Sequence, residues 1–280
     1  MNKLFNNILI PVDFSEVSEL AIERAIDIAN HFKCNIHLIV IENERPGMKQ
    51  YSLLSRKANS ALHDSEAKLY QLQNKYTYQL DPGLTIQSSV VYGNKNRSVI
   101  GYTFSHQIDL LIISKSASLS GTLLPGNFNI NEITKKVGCP VLTVRKEAGN
   151  DRWMNIVLPI CSVLPIRKIM FASYLARKYN SKIHLLAVAG NDASEHGNRN
   201  EYLHKAYQLL RDNTNLTIEC HTMRGQNIAE TTLRFAKKID ADLIVVNPGK
   251  ESLLSGFLNR VFDGFLFNES RIPVMTISIN

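Results

Sequence analysis

The sequence is poor in the features of an extracellular, membrane or metal-stapled protein. It has four cysteines in 280 residues (Cys34, Cys139, Cys161 and Cys220), far apart and without a C-x-x-C pair. Sparse thiols of this kind fit a reducing compartment better than a disulfide scaffold, so a cytoplasmic protein is expected. No apolar run reaches the roughly 18–20 residues a membrane span needs, so no membrane partner is expected. Met1-Asn2-Lys3-Leu4-Phe5 leads into a strand-like segment, with no apolar core and small-residue cleavage site of a secretory signal. The eight histidines form no HxxxH or HExxH pair, and no metal site is legible. The Walker lysine loop, the GxSxG elbow and the GxGxxG fingerprint are all missing. Without a cluster of general base, nucleophile or metal ligands, the expectation is a protein that is not an enzyme.

Charge of one sign is also scarce. The chain carries 32 basic and 25 acidic residues, a net charge of +7. Residues 1–147 hold 16 and 13 of these and residues 148–280 hold 16 and 12, giving +3 and +4. An excess spread this evenly, with no basic arm, reads as a solvated surface, and no nucleic-acid partner is expected. A chain that is 44% hydrophobic and 20% charged can bury an ordinary core.

What the sequence does contain is an internal repeat. Asn7-Ile8-Leu9-Ile10-Pro11-Val12-Asp13 matches Asn155-Ile156-Val157-Leu158-Pro159-Ile160-Cys161, and Ile36-His37-Leu38-Ile39 matches Ile183-His184-Leu185-Leu186. Val91-Tyr92-Gly93-Asn94 matches Met223-Arg224-Gly225-Gln226, and Asp109-Leu110-Leu111-Ile112-Ile113 matches Asp242-Leu243-Ile244-Val245-Val246. Cys139-Pro140-Val141-Leu142-Thr143-Val144 matches Ile272-Pro273-Val274-Met275-Thr276-Ile277. The order is kept throughout. The offset drops from 148 and 147 to 133 and 132, which puts about 15 extra residues in the first half between Glu42 and Thr85.

Each half alternates short Ile/Val/Leu runs with segments of helical period. The first half reads as strand 8–12, a helix N-capped by Ser15 with Leu20, Ala21, Ala25, Ile28 and Ala29 on one face, strand 36–41, helix 58–75, strand 86–91, helix 98–106, strand 110–113, helix 131–137 and strand 141–144. In the second half, helices are expected at 167–179, 201–211 and 228–238. Within helix 58–75 and just beyond it, Leu62, Leu69, Leu72 and Tyr76 fit one packing face, and Tyr78 falls outside that register. Apolar strands alternating with helices specify a parallel sheet covered on both faces. Each half is therefore an α/β, Rossmann-like, doubly wound domain of five strands. Residues 145–152 are short and polar and read as a linker, giving domains 1–147 and 152–280 held close enough to pack as a pseudo-dimer.

In such a sheet a ligand sits beyond the carboxyl ends of the strands, where strand order reverses. The loops of interest are Pro11–Ser15, Ile41–Glu42 and 114–129. At these positions the sequence resembles the universal stress protein family. The resemblance rests on Ile8-Leu9-Ile10-Pro11-Val12-Asp13-Phe14-Ser15, Val91-Tyr92-Gly93, Asp109-Leu110-Leu111-Ile112-Ile113 and Cys139-Pro140-Val141-Leu142-Thr143-Val144, all recurring more weakly in the second half. It implies a cytoplasmic protein with the adenine nucleotide alpha hydrolase-like fold. It also implies pairing through the last strand, as an intramolecular pair in tandem members or as a homodimer, with an unidentified protein partner for the stress response. One branch of the family binds ATP through Gly-x2-Gly-x9-Gly-Ser/Thr after the fourth strand, where glycines let backbone N–H groups approach phosphate.

Anchored on Cys139-Pro140, the three glycine positions fall on Ser114, Ala117 and Asn127 and the hydroxyl position on Phe128. Anchored on Ile272-Pro273, they fall on Asn247, Lys250, Arg260 and Val261. Every position departs from the motif, and the expectation is a non-enzymatic stress-response protein with no cofactor and no usual ATP site. Lys250 and Arg260 stand where a phosphate cradle belongs, and attract an anion by charge or serve as solvated loop residues. The alternative is an adenine-nucleotide sensor using the first domain only. By the resemblance, Pro11, Asp13 and Ile41 would lie against adenine and ribose there, and Ser114, Ala117, Asn127 and Phe128 would line the phosphates. Asp13 has a competing reading as a turn or cap residue, and its counterpart Cys161 reads as an inert buried thiol. His37 and His184, at equivalent strand positions, read as shared architecture.

Overall fold

The computed structural model describes residues 3–43, 56–115, 128–145, 152–161, 163–189, 193–249, 251–253, 266 and 269–279, with the side chains of 56–63 and 193–199 left out. The chain divides into two compact units, 1–115 and 116–280.

In the first unit, β1 (Asn7–Val12), β2 (Asn35–Glu42), β3 (Ile86–Tyr92) and β4 (Leu110–Ser114) form parallel neighbours in the order β3-β2-β1-β4. Helices α1 (Glu16–Phe32), α2 (Arg56–Thr77) and α3 (Lys95–Ser105) are the crossovers. Ile8, Leu9 and Ile10 have no solvent exposure, as a strand covered on both faces requires. Ser15 caps α1 by accepting the Ser18 N–H at 3.2 Å. Ala21, Ala25, Ile28 and Ala29 are fully buried, whereas Leu20 sits at the edge of that face. On α2, Leu69, Leu72 and Tyr76 are buried, and Tyr78, just past its end, is 91% exposed. The side chain of Leu62 lies outside the described residues. The Tyr76 hydroxyl donates to Glu19 Oε2 at 2.9 Å, tying the helix to α1.

In the second unit, α4 (Ile130–Val137) and β5 (Val141–Val144) precede β6 (Asn155–Ile160), α5 (Ile166–Tyr179), β7 (Lys182–Ala189), α6 (Ala193–Asn213), β8 (Ile218–Arg224), α7 (Ile228–Lys238), β9 (Leu243–Val246) and β10 (Val274–Thr276). The strand order is β5-β10-β9-β6-β7-β8. All pairs from β10 to β8 are parallel. The last strands of the two repeats pair antiparallel, with Thr143 opposite Val274, Leu142 opposite Met275 and Val141 opposite Thr276. The Thr143 hydroxyl also donates to the Val274 carbonyl at 3.1 Å. Pro140 and Pro273 stand just before these strands, outside the ladders that a missing N–H would interrupt. The two repeats are therefore joined through their closing strands. The proposed limits 1–147 and 152–280 follow the repeat along the chain, and the compact units follow contact.

Helices α2 and α6 have nearly equal lengths, 22 and 21 residues. The extra length of the first repeat consequently lies in the connections on either side of α2, mostly in 43–55.

Gly225 opens the turn from β8 into α7, and its N–H donates to the Ala189 carbonyl at 3.0 Å. A Cβ there would lie 1.9 Å from Thr231 Oγ1 and 3.0 Å from Thr231 Cβ. Thr231 is buried in the first turn of α7 and has no room to retreat. Gly225→Ala is expected to destabilise the protein by about 1–3 kcal/mol in urea denaturation, and adding Thr231→Ala should recover part of the loss.

Candidate functional site

The chain runs from β1 to β2 on one side while β4 pairs on the other, so strand order reverses beside β1. The carboxyl ends of β2 and β4 therefore flank that of β1. Pro11 is buried in β1 opposite Ile39, Ile41 is half-buried in β2 opposite Val91, and Ser114 is half-buried at the end of β4. Phe128 is half-buried before α4. Ala117 and Asn127 lie outside the described residues, as do Lys250 and Arg260.

Asp13 is exposed at the tip of this region. Its Oδ1 accepts the Ser15 hydroxyl at 2.6 Å and the Ser15 N–H at 3.1 Å. Ser15 in turn caps α1, and Phe14 between them is held at φ 62°. The carboxylate thus organises the left-handed turn that starts the helix. Partial burial works against its ionisation. The Ser15 hydroxyl and N–H, the Ser18 hydroxyl and the Lys95 charge outweigh that and hold its pKa below 3.8. Cys161, at the equivalent position, is half-buried, not fully buried as read from the sequence, because it stands one residue past the end of β6 at Ile160.

A groove of about 820 Å³ opens nearby in the first unit, between the end of β3 and α3. Asn43, Gly93, Asn94, Arg97, Ser98 and Tyr102 are among its walls, and none of Pro11, Asp13, Ile41, Ser114 or Phe128 contributes to it. Inside the sheet, His37 Nδ1 lies 3.2 Å from the Tyr102 hydroxyl, and Tyr102 stacks on His106 with centroids 3.7 Å apart. Burial and the neighbouring His106 lower the pKa of His37.

In the second unit a buried ion pair lies beside the ends of β6 and β9. Lys168 on α5 has no solvent exposure, and its Nζ donates to the Pro159 carbonyl and to Glu251 Oε2, each at 2.6 Å. Glu251 Oε2 also accepts the main-chain N–H of Asn247 at 2.7 Å. The Asn247 amide donates to the Ile277 carbonyl at 2.7 Å. Gly249, at φ 105°, makes the turn that brings Glu251 back under the strand end. Ser252 seals the turn by donating to Asn131 Oδ1 at 2.9 Å. The burial patterns of α1 and α5 align Lys168 with Ala21, and the loop offset aligns Glu251 with Ser118. Neither an alanine nor a serine carries charge, so the pair belongs to one repeat only. Sequence reasoning passed over both residues. The available signal was Lys168 standing in an apolar stripe with Ile169, Ala172, Leu175 and Ala176.

The profile of the Universal stress protein family matches residues 4–145. A universal stress protein from Archaeoglobus fulgidus DSM 4304 superposes with a TM-score of 0.71 at 15% identity, covering 100% of both chains. A functionally unknown protein from Pseudomonas aeruginosa PAO1 does so with a TM-score of 0.59 at 15% identity, covering 98% of this chain and 92% of that one. The cytoplasmic domain of a prokaryotic cation chloride cotransporter superposes with a TM-score of 0.50 at 14% identity, covering 98% and 96%. Identities this low establish a shared fold. No curated protein matches the chain. Among the described residues, no helix is long and apolar enough to cross a membrane.

Proposed function

The chain belongs to the universal stress protein family, and from that premise we propose a cytoplasmic stress-response protein that works by binding rather than catalysis, without an ATP site of the usual kind. The observation that carries this reading is the buried carboxylate of Glu251. It takes an ammonium from Lys168 and a main-chain N–H from Asn247, the residue at the first glycine position of the phosphate loop. A main-chain N–H and a cation are what a phosphate oxygen would seek, and here the protein's own carboxylate uses both. The second domain is then a structural partner, and recognition of a protein or small ligand falls to the first domain and to surfaces outside the strand ends. Calorimetry on the full chain is expected to find no micromolar binding of ATP or AMP, and phosphate release from ATP should stay at buffer background. Micromolar binding, or turnover above background, would sink the reading.

A second reading is favoured by the unequal repeats. Ala21 and Ser118 leave the first domain without the internal ion pair, and exposed Asp13 stands at its strand switch. An adenine nucleotide held by the first domain alone would then contact Asp13. Asp13→Asn keeps an oxygen for Ser15 and removes the charge. It is expected to weaken such binding about tenfold, the effect of one charge-assisted hydrogen bond, while Cys161→Ala leaves affinity unchanged. Equal effects from the two variants would exclude this geometry.

A further inference from the structure

We infer that the second domain carries a divalent-metal site, built by His184 on β7 and Glu219 and His221 on β8, and suited to zinc. His184 and Glu219 are direct neighbours in the parallel register, and His221 follows Glu219 by two residues, so all three side chains share one face of the sheet. His184 Nδ1 lies 3.1 Å from His221 Nε2 and 3.4 Å from Glu219 Oε2, and the third edge, His221 Nε2 to Glu219 Oε2, is 3.6 Å. A tetrahedral zinc with bonds of about 2.0–2.1 Å has ligand–ligand edges of about 3.3–3.4 Å. The triangle therefore has the size of one face of a zinc tetrahedron, and two imidazoles with one carboxylate suit zinc in type.

The surroundings hold these donors in place. His184 Nε2 donates to Asn155 Oδ1 at 3.2 Å, which leaves the Nδ1 lone pair facing the other two donors. Lys182 Nζ binds Glu219 Oε1 at 2.7 Å and leaves Oε2 turned toward the histidines. Phe235 of α7 packs against both rings, with centroids 6.3 Å from His184 and 4.7 Å from His221. His184 is 5% exposed, whereas His221 and Glu219 are 28% and 42% exposed, so the fourth position faces solvent and a water or a ligand atom completes the shell. The first repeat has the same frame without the site. His37 stands opposite Gln87, Ser89 replaces the second histidine, and the Nδ1 of His37 is engaged by Tyr102. Sequence spacing conceals the cluster because one ligand comes from the neighbouring strand.

The test is titration of the full chain with zinc chloride by calorimetry, and with cobalt(II) by absorbance. One equivalent is expected to bind with micromolar or tighter affinity, and cobalt should give d–d bands of tetrahedral intensity without thiolate charge transfer. His221→Ala and Glu219→Gln alter partly exposed side chains, so folding should survive, and each should lower affinity by roughly 10–100-fold. Cys220→Ser, on the opposite face, should leave affinity unchanged. If the wild type binds no stoichiometric metal, or if His221→Ala and Glu219→Gln bind as tightly as wild type, the site does not exist. A loss caused by Cys220→Ser would assign the metal elsewhere and overturn the proposal equally.

Discussion

Lys168→Met is expected to cost about 3–5 kcal/mol of stability, the range for removing one partner of a buried ion pair. The side chain keeps its length and apolar packing, so the loss isolates the ammonium. Glu251 is 7% exposed, and without Lys168 its carboxylate would retain, among the described residues, the Asn247 N–H at 2.7 Å. The Pro159 carbonyl would lose its partner as well. The reciprocal change, Glu251→Ala, leaves a buried ammonium and an unbonded Asn247 N–H and should cost a similar amount. The double variant Lys168→Met/Glu251→Leu removes both charges together. It should recover most of the loss, short of the roughly 1–3 kcal/mol for the Asn247 N–H left without an acceptor. Urea denaturation followed by tryptophan fluorescence reads this directly, because the single tryptophan, Trp153, is buried in the same unit. If Lys168→Met stays within about 1 kcal/mol of wild type, the pair is solvated in solution and the closed-site reading loses its support. A sharper check follows from the same geometry. Sulfate or phosphate should stabilise Glu251→Ala more than it stabilises the wild type, since an added anion can take the vacated cation and N–H.

The fold was legible because two independent periodicities agree within each repeat. Strand 110–113 and helix 228–238 are visible in the sequence as an unbroken Ile/Leu run and as a helical pattern, and both appear within a residue of the expected bounds. Pairing through the closing strands was implied by the family resemblance, and the Thr143–Val274 register bears it out. The candidate site was less legible. Departures from the glycine motif remove the residues a phosphate cradle of the usual kind would use, yet they do not say what stands in their place. Glu251 comes from four residues beyond Asn247, and its partner Lys168 comes from a helix 83 residues earlier. No local pattern links them. Asp13 is an intermediate case. Its position after a strand and two residues before Ser15 was compatible with both a turn and a ligand role. The hydrogen bonds to Ser15 account for it as a turn residue, whatever else it touches.

Trp153→Ala should also cost about 3–5 kcal/mol, and the first repeat explains why. Trp153 and Phe5 stand 148 residues apart at the entry to β6 and β1, at 1% and 0% exposure. Each packs on the aromatic residue ending the following helix: Phe5 on Phe32 at 5.5 Å between centroids, Trp153 on Tyr179 at 5.1 Å. Each of those helices then stops at a left-handed residue, Lys33 at φ 61° or Asn180 at φ 53°, whose N–H returns to the carbonyl of Ala29 or Ala176. The next residue donates its side chain to the carbonyl of the entry aromatic, Cys34 to Phe5 at 3.1 Å and Ser181 to Trp153. Burial pushes the Cys34 thiol up to about 12, so it remains a donor at neutral pH. The same clamp is thus built twice from different residues, and it fixes where the first strand and first helix of each repeat meet. Phe5→Ala should accordingly cost about 3–5 kcal/mol too. Trp153→Phe copies the first repeat's own solution and discards an indole N–H that meets no acceptor among the described residues, so it should lose less than about 1.5 kcal/mol. Far-UV circular dichroism during urea unfolding measures all three variants, since two of them lack the fluorophore. A Phe variant as damaged as the Ala variant would mean that the indole itself, rather than an aromatic ring at this corner, holds the strand to the helix.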